Sequence, residues 1–375
     1  MKKILVTSTD LMMVQFLLPH IENLCNNGFI VDIACSNVGN RIDEITKKIG
    51  HIIRNLFVVN LHRSPFKLSN FKGYKQLKDI TISNHYDLIW TNEPVMGVAT
   101  RLASRKLRKS DTIVMYMAHG FHFFKGAPIL NWLLYYPIEW YLSRFTDILC
   151  TVNSEDYARS KHFNSKYYEF IHGIGINTSR LKPTDQRNNI RDELSIPPND
   201  VIILSVGELN ANKNHQTIIK ALSLLNDNKI HYIICGKGNE MDNLKSLAVK
   251  LGISHQVHFL GYRTDVVDIC SQSTIYVMPS YREGLPVSSL EAMYCGLPLI
   301  TSSTRGLCDV NHHYKNGFIC APSDYHSFAK YIRELADNPS LCSQFALQNK
   351  RDVQSYTISR SKDEVLSIIK RYLNM

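Results

Sequence analysis

The feature that most constrains this chain is an alternation of short apolar runs with helical patterns that halts in a proline-containing stretch and then restarts. Residues 4–7, 30–35, 88–91, 113–117 and 148–152 are rich in Val, Ile, Leu and Met without polar alternation, as expected of strands covered on both faces. Between them, residues 14–27, which stop at Gly28, and residues 130–144 carry helical patterns. The polar stretch 177–200, with Pro183, Pro197 and Pro198, reads as a linker. Beyond it, strands at 201–206, 232–235, 257–260, 275–278 and 299–302 alternate with helices near 214–226, 241–251, 265–270 and 286–294. Cys295-Gly296 ends the last helix and Pro298 forbids its resumption. Alternation of this kind predicts α/β domains on parallel sheets, and its restart predicts two Rossmann-like domains facing across a cleft. A length of 375 residues with 44% hydrophobic content is enough for two such cores. The expected division is 1–180 and 181–357. A final amphipathic helix, about 358–375, with Val365, Ile368, Ile369 and Leu373 on one side, is expected to pack back on the first domain.

Met1-Lys2-Lys3 and a short apolar run, broken at once by Thr7-Ser8-Thr9-Asp10, read as a first strand and not a secretory leader. The most apolar later stretch, 127–138, is interrupted by Asn131 and is too short to span a bilayer. A cytoplasmic protein is expected. The nine cysteines include no CxxC pair, so free, mostly buried thiols are expected in place of a disulfide framework or zinc ribbon. Of the net charge of +10, most falls in residues 1–180, where 22 Lys/Arg face 14 Asp/Glu; Lys67, Lys72, Lys75, Lys78, Arg101, Arg105, Lys106, Arg108 and Lys109 are among them. Such an excess suits nucleic acid, an anionic membrane surface or a phosphorylated substrate, and equally an ordinary solvated surface. No nucleic-acid motif accompanies it.

The most specific segment is Pro279-Ser280-Tyr281-Arg282-Glu283-Gly284-Leu285-Pro286-Val287-Ser288-Ser289-Leu290-Glu291-Ala292. A strand ends, a glycine-containing turn follows, and a helix opens near Pro286. The free amides of that helix start, together with its dipole, suit an anion. Glu283 precedes the helix and Glu291 lies more than one turn inside it. They do not form an adjacent pair on one face, but they can reach two parts of one extended ligand. Carboxylates accept strong hydrogen bonds from vicinal hydroxyls. Each Glu by itself also fits an ordinary acidic residue near a helix start.

Glu-Gly-Leu-Pro before a helix containing Glu-Ala-Met, with the two Glu eight positions apart, resembles the signature of GT-B glycosyltransferases of the large retaining family 4. Ser205-Val206-Gly207-Glu208-Leu209 followed by Lys213-Asn214, Cys235-Gly236-Lys237-Gly238-Asn239-Glu240, and Val257-His258-Phe259-Leu260-Gly261-Tyr262 resemble three further loops of that family's donor domain, in order. In the first half, Ala118-His119-Gly120-Phe121-His122 and Thr151-Val152-Asn153-Ser154-Glu155-Asp156-Tyr157 resemble the capsular and exopolysaccharide enzymes. Alone, His119 also fits a packed or capping histidine.

The resemblance implies a hexosyl- or N-acetylhexosaminyltransferase using a nucleotide-sugar, UDP-linked by family habit. Lys213, beside Gly207, Glu208 and Asn214, would neutralise the diphosphate. Glu291 would accept from the ribose hydroxyls and Glu283 would contact the transferred sugar. Amides of Gly284, Leu285 and Val287 would face phosphate or sugar oxygens. Gly236 and Gly238 would belong to the donor loops, Tyr262 and Arg263 would border the base, and His119 would lie near the anomeric end. Many relatives carry an Arg where this chain has Glu208, so the diphosphate charge would rest more on Lys213. Many also carry Gly-Gly in the first loop, where hydroxyls of Thr7, Ser8 or Thr9 would substitute; Thr7, Ser8 and His122 are the acceptor-side candidates. No DxD occurs, and a metal-independent, cofactor-free reaction is expected. The expected acceptor is an undecaprenyl-diphosphate-linked glycan of a capsule, exopolysaccharide or O-antigen. The aromatic segment 121–141 suits peripheral attachment to the inner face of the membrane, or else core packing of the first domain. A GT-B sugar-nucleotide epimerase and a non-catalytic basic binding protein are the rival readings.

Overall fold

The computed structural model describes residues 1–9, 11–37, 42–182 and 189–375. Asp10 of the first loop and residues 183–188 of the expected linker, Pro183 among them, lie outside the described residues. The chain divides into two compact units: unit 1 is Met1–Gly175 with Ile358–Met375, and unit 2 is Ile176–Thr357.

Unit 1 runs β1 (Lys3–Ser8), α1 (Leu11–Asn26), β2 (Ile30–Cys35), α2 (Ile42–Ile49), β3 (Asn55–Val58), α3 (Ser69–Asn84), β4 (Leu88–Asn92), α4 (Pro94–Ser104), β5 (Ile113–Ala118), α5 (Ile129–Ser143), β6 (Ile148–Thr151), α6 (Ser154–Ser160) and β7 (Tyr167–Phe170). Its seven strands pair in parallel in the order β3-β2-β1-β4-β5-β6-β7. Successive strand side chains point to opposite faces, and the core divides accordingly. Ile4, Val6, Trp90, Met115 and Met117 pack on one face with α1. Leu5 and Ile89 meet Leu77 of α3 and Met96 of α4 on the other, where Tyr116 and Leu149 also meet Trp132, Tyr135 and Tyr136 of α5. Helices α3, α4 and α5 therefore form one layer.

Unit 2 runs α7 (Ile190–Leu194), β8 (Val201–Val206), α8 (His215–Leu225), β9 (Ile230–Cys235), α9 (Met241–Lys250), β10 (Val257–Gly261), α10 (Val266–Gln272), β11 (Ile275–Met278), α11 (Val287–Cys295), β12 (Leu299–Ser302), α12 (Leu307–Val310), β13 (Gly317–Cys320), α13 (Tyr325–Ala336) and α14 (Pro339–Asp352). The parallel order is β10-β9-β8-β11-β12-β13. Strand order reverses between β8 and β11, so the loops leaving these neighbours diverge at their carboxyl ends and open a crevice, the usual ligand position in open α/β sheets. α11 ends where Gly296, at φ 84°, donates to the carbonyls of Ala292 and Met293. The last helix, α15 (Ile358–Tyr372), returns to unit 1, where Val365, Ile368, Ile369 and Leu373 join the α1 face of the core.

Candidate functional site

The loop leaving β8 is laid against the loop leaving β9. Gly207 donates to the Cys235 carbonyl at 3.0 Å and Leu209 to that of Lys237 at 3.0 Å. The approach requires glycine: a Cβ on Gly236 would sit 1.8 Å from the Gly207 oxygen, and one on Gly238 2.1 Å from that of Leu209. A side chain at Gly207 would crowd Lys213, whose Cε lies 3.3 Å from an ideal Cβ there. Asn210 Oδ1 accepts from the Lys213 amide at 3.0 Å. Asn214, in left-handed conformation at φ 55°, ties the start of α8 to the carbonyls of Pro279 and Pro322. This local fixing sends the Lys213 side chain across to the β11 loop, where Nζ donates to Glu283 Oε1 at 2.7 Å. Asn212 repeats the crossing, accepting from the Tyr281 amide at 2.9 Å and donating to the Arg282 carbonyl at 3.0 Å.

The turn of Glu283, Gly284 and Leu285 leads to Pro286, the cap of α11, so Val287 and Ser288 bring amides ahead of the helix's first closed turn. A second loop supports this turn from behind. Arg305 Nε donates to the Glu283 carbonyl at 3.3 Å, Thr304 Oγ1 donates to that of Ser280 at 2.9 Å, and Gly306, at φ 73°, leaves no room for a Cβ beside the Gly284 oxygen. Glu291 lies half-buried on α11, and no described residue donates a hydrogen bond to its carboxylate. Burial holds that carboxyl above its usual range.

Lys213, Glu283, Gly207, Gly236 and Gly238 thus sit on neighbouring loops of unit 2, with Gly284, Leu285, Val287 and Glu291 on or beside α11. The other candidates are placed differently. Glu208 is exposed and accepts from the Asn210 side chain at 3.0 Å. Asn214 is buried, and its amide group is occupied in pinning the loop. Tyr262 is exposed, while Arg263 is held by Asp265 and Glu193, contacts that push its pKa further up.

In unit 1, Thr7 and Ser8 are fully buried and not open to an acceptor: Thr7 Oγ1 bonds Thr91 and Thr100, and Ser8 donates to Glu93. They latch the β1 and β4 connections together. His122 stacks on Tyr135 of α5, ring centroids 4.6 Å apart. His119 follows β5 as expected, with Nε2 3.1 Å from Asn92 Oδ1; burial lowers its pKa to about 4, so the ring is neutral near pH 7. Two of the expected surface cations are also reassigned. Arg101 is buried against Glu139 at 2.8 Å, and Arg108 is paired with Asp147 at 2.6 Å.

The sequence reading did not single out Asn212, Arg305 or Ser288, which accepts from the Tyr276 hydroxyl at 2.9 Å. Arg305-Gly306, with two residues between it and the end of the 299–302 strand, was the available signal for the supporting loop. Among the described residues, no group of three or more His, Cys, Asp or Glu is placed to hold a metal ion.

Residues 186–352 match the family described as "Glycosyl transferases group 1", and residues 4–153 match "Glycosyl transferase 4-like". The chain is 34% identical to EpsD of Bacillus subtilis, named as a glycosyltransferase, over 100% of this chain and 98% of that one. It is 24% identical to the Escherichia coli enzyme named UDP-Gal:alpha-D-GlcNAc-diphosphoundecaprenol alpha-1,3-galactosyltransferase, over 96% and 92%. Among solved structures, Anabaena HepE in complex with UDP-glucose superimposes with a TM-score of 0.80 at 17% identity, covering 99% of this chain and 100% of that one, a likeness of fold.

Proposed function

The chain belongs to the GT-B glycosyltransferases, and from that premise we propose that it transfers a sugar, with retention of anomeric configuration, from a UDP-sugar to an undecaprenyl-diphosphate-linked glycan. The observation that carries the donor side is the Lys213–Glu283 pair spanning the β8/β11 crevice beside the start of α11. As the bond from the anomeric carbon to the β-phosphate oxygen breaks, negative charge grows on that phosphate. Lys213 and the Leu285 and Val287 amides are donors already in place for it. The acceptor hydroxyl attacks from the face the phosphate leaves, the new glycosidic bond forms there, and the departing phosphate takes the acceptor's proton. Glu291, lacking an internal donor, accepts from the ribose diol, and Glu283 contacts the sugar. Tyr262, with its exposed ring, borders the base. His119 is a residue of turnover rather than of donor affinity. Neither a metal nor a cofactor enters this scheme.

UDP is the nucleotide in the names of the E. coli relative and the HepE complex. Diphosphoundecaprenol is in the name of the first and of a Campylobacter jejuni relative. These names support the donor and acceptor classes; in this reading the product is a capsule, exopolysaccharide or O-antigen and the place of work is the inner face of the cytoplasmic membrane. Among the described residues no helix is long and apolar enough to cross a membrane. Two assays test the reading: a thermal-shift screen against UDP-, GDP- and ADP-sugars, and transfer to an undecaprenyl-diphosphate-linked glycan with and without EDTA. Stabilisation by a UDP-sugar and chelator-insensitive transfer giving the donor's anomer are expected. Turnover of the UDP-sugar without an acceptor would instead identify an epimerase.

A further inference from the structure

The carboxyl ends of β1, β4 and β5 hold a polar chain that sets the chemistry of His119. Asn92 closes β4 and is fully buried, while half-buried His119 follows β5 directly. The two strands are neighbours, with Asn92 paired to Met117, so both residues stand at the same edge of the sheet. Asn92 Nδ2 donates to the Thr7 carbonyl of β1 at 3.3 Å. A carbonyl only accepts, so the amide presents its nitrogen there and turns its oxygen the other way. That oxygen, Oδ1, meets His119 Nε2 at 3.1 Å. An amide oxygen has no proton to give, so Nε2 carries the hydrogen of this contact.

A neutral imidazole holds one N–H, which leaves Nδ1 bare. Burial first, and then the charge of His20, lower the His119 pKa to about 4, so the ring takes up no second proton near pH 7. His20, on α1, is itself buried with its pKa lowered to about 4, and its Nε2 lies 3.0 Å from the Ile174 carbonyl. Among the described residues nothing hydrogen-bonds His119 Nδ1. The next residue along β4 shows how firmly this junction is held. Glu93 has φ 64° and ψ 154°, a conformation nearly confined to glycine. Its Oε2 accepts from Ser8 Oγ at 2.7 Å and from the Thr9 amide at 2.6 Å. Strain of this kind persists only where the surroundings enforce it, and it gathers at active sites.

We propose that Asn92 is a positioning residue for turnover: it fixes His119 in the Nε2–H tautomer, so that the ring meets its ligand solely as an acceptor, at Nδ1, from a hydroxyl that keeps its own proton. Two roles are thereby closed to His119. It has no proton on Nδ1 to give to a departing oxygen. So weak a base also does not take the acceptor's proton, which passes to the leaving phosphate. A carboxylate in place of the Asn92 amide would accept the same hydrogen but would favour the charged ring. The amide therefore keeps His119 neutral as well as oriented. The inference rests on the catalytic reading of His119 for its purpose, and on geometry for its argument.

The test is imidazole nitrogen NMR of the full chain labelled with nitrogen-15 histidine, between about pH 5 and pH 8, with the His119→Ala spectrum identifying the resonances. His119 should show a proton on Nε2 and none on Nδ1 throughout. Asn92→Leu should release the ring into a mixture of tautomers and lower kcat about three- to tenfold, with UDP-sugar affinity close to that of the wild type. Asn92→Asp should keep the Nε2 proton and raise the His119 pKa. Its kcat should then fall as pH drops through that raised value, on an acid limb displaced upward from the wild type's. A wild-type ring protonated on Nδ1, or charged near neutral pH, would overturn the proposal. So would wild-type kcat and an undisplaced pH profile in both Asn92 variants. The wild-type spectrum decides the tautomer even where a buried substitution prevents folding. A chain that binds no UDP-sugar refutes the catalytic reading and leaves the tautomer to stand or fall on that spectrum.

Discussion

Lys213 faces two possible anions, the Glu283 carboxylate that holds it at 2.7 Å and a diphosphate arriving at the start of α11. Both side chains are largely buried, so each charge needs a partner there, and a diphosphate that takes Lys213 from Glu283 has to replace that contact in full. Glu291 differs, having no donor to give up. Glu291→Ala should therefore weaken UDP-sugar binding roughly ten- to a hundredfold, the range for a charged hydrogen bond, with little change in kcat. Glu283→Ala and His119→Ala should chiefly lower kcat. Calorimetric binding and steady-state kinetics separate these, and unchanged affinity and turnover in all three variants would end the assignment. Burial raises the Glu291 carboxyl, so its protonated form appears at a higher pH than for a free glutamate. Donor affinity should accordingly decline as pH falls toward the acid range, and Glu291→Gln should remove that decline.

At the scale of elements, the central strands were readable because each is buried on both faces and hence continuously apolar. β1, β2, β4, β5, β6, β8, β9, β11 and β12 lie within about two residues of the expected runs, and so does β10, an edge strand whose Val257, Phe259 and Leu260 still give an apolar run. β3, β7 and β13 were missed, and all three are sheet edges. β3 and β7 are only half covered, and Tyr167-Tyr168-Glu169-Phe170 has no run to detect. The donor loops were legible because their chemistry is local in sequence. The Arg305–Glu283 contact was not, since 22 residues separate its partners and only the fold closes that distance. Arg101 was likewise counted as a surface cation, because charge alone does not reveal a buried partner 38 residues away. Its guanidinium lies 4.0 Å from the Tyr116 ring and pairs with Glu139, joining α4 to α5. Removing one member of such a pair strands the other without its partner. Arg101→Ala should cost about 3–5 kcal/mol in chemical denaturation, and Arg101→Ala with Glu139→Leu should recover part of it. A loss below about 1 kcal/mol in the single variant would mean the pair does not lock the two helices.

Across the whole molecule, unit 1 is completed by both ends of the chain, whereas unit 2 is one continuous segment. α15 covers Leu17, Ile21 and Leu24 of α1 with Val365, Ile368, Ile369 and Leu373. Polar contacts fix it in place: Glu364 accepts from the His172 amide at 3.0 Å, and Glu169 accepts from the Tyr372 hydroxyl at 2.7 Å. Four buried apolar side chains at about 1.5–3 kcal/mol each set an upper bound of roughly 6–12 kcal/mol on what the helix contributes, comparable to the stability of a whole domain. The core of unit 2 contains nothing beyond Tyr356. All three tryptophans, Trp90, Trp132 and Trp140, belong to unit 1, so their fluorescence reports on that unit alone. Ending the chain at Thr357 should therefore lower the tryptophan-detected melting point by many degrees or abolish the transition. UDP-sugar protection of unit 2, followed by amide hydrogen exchange in β8, β9 and β11, should persist. Loss of that protection together with the tryptophan transition would show that the donor half cannot hold its fold or its ligand without a completed unit 1, and that the two units form one cooperative system.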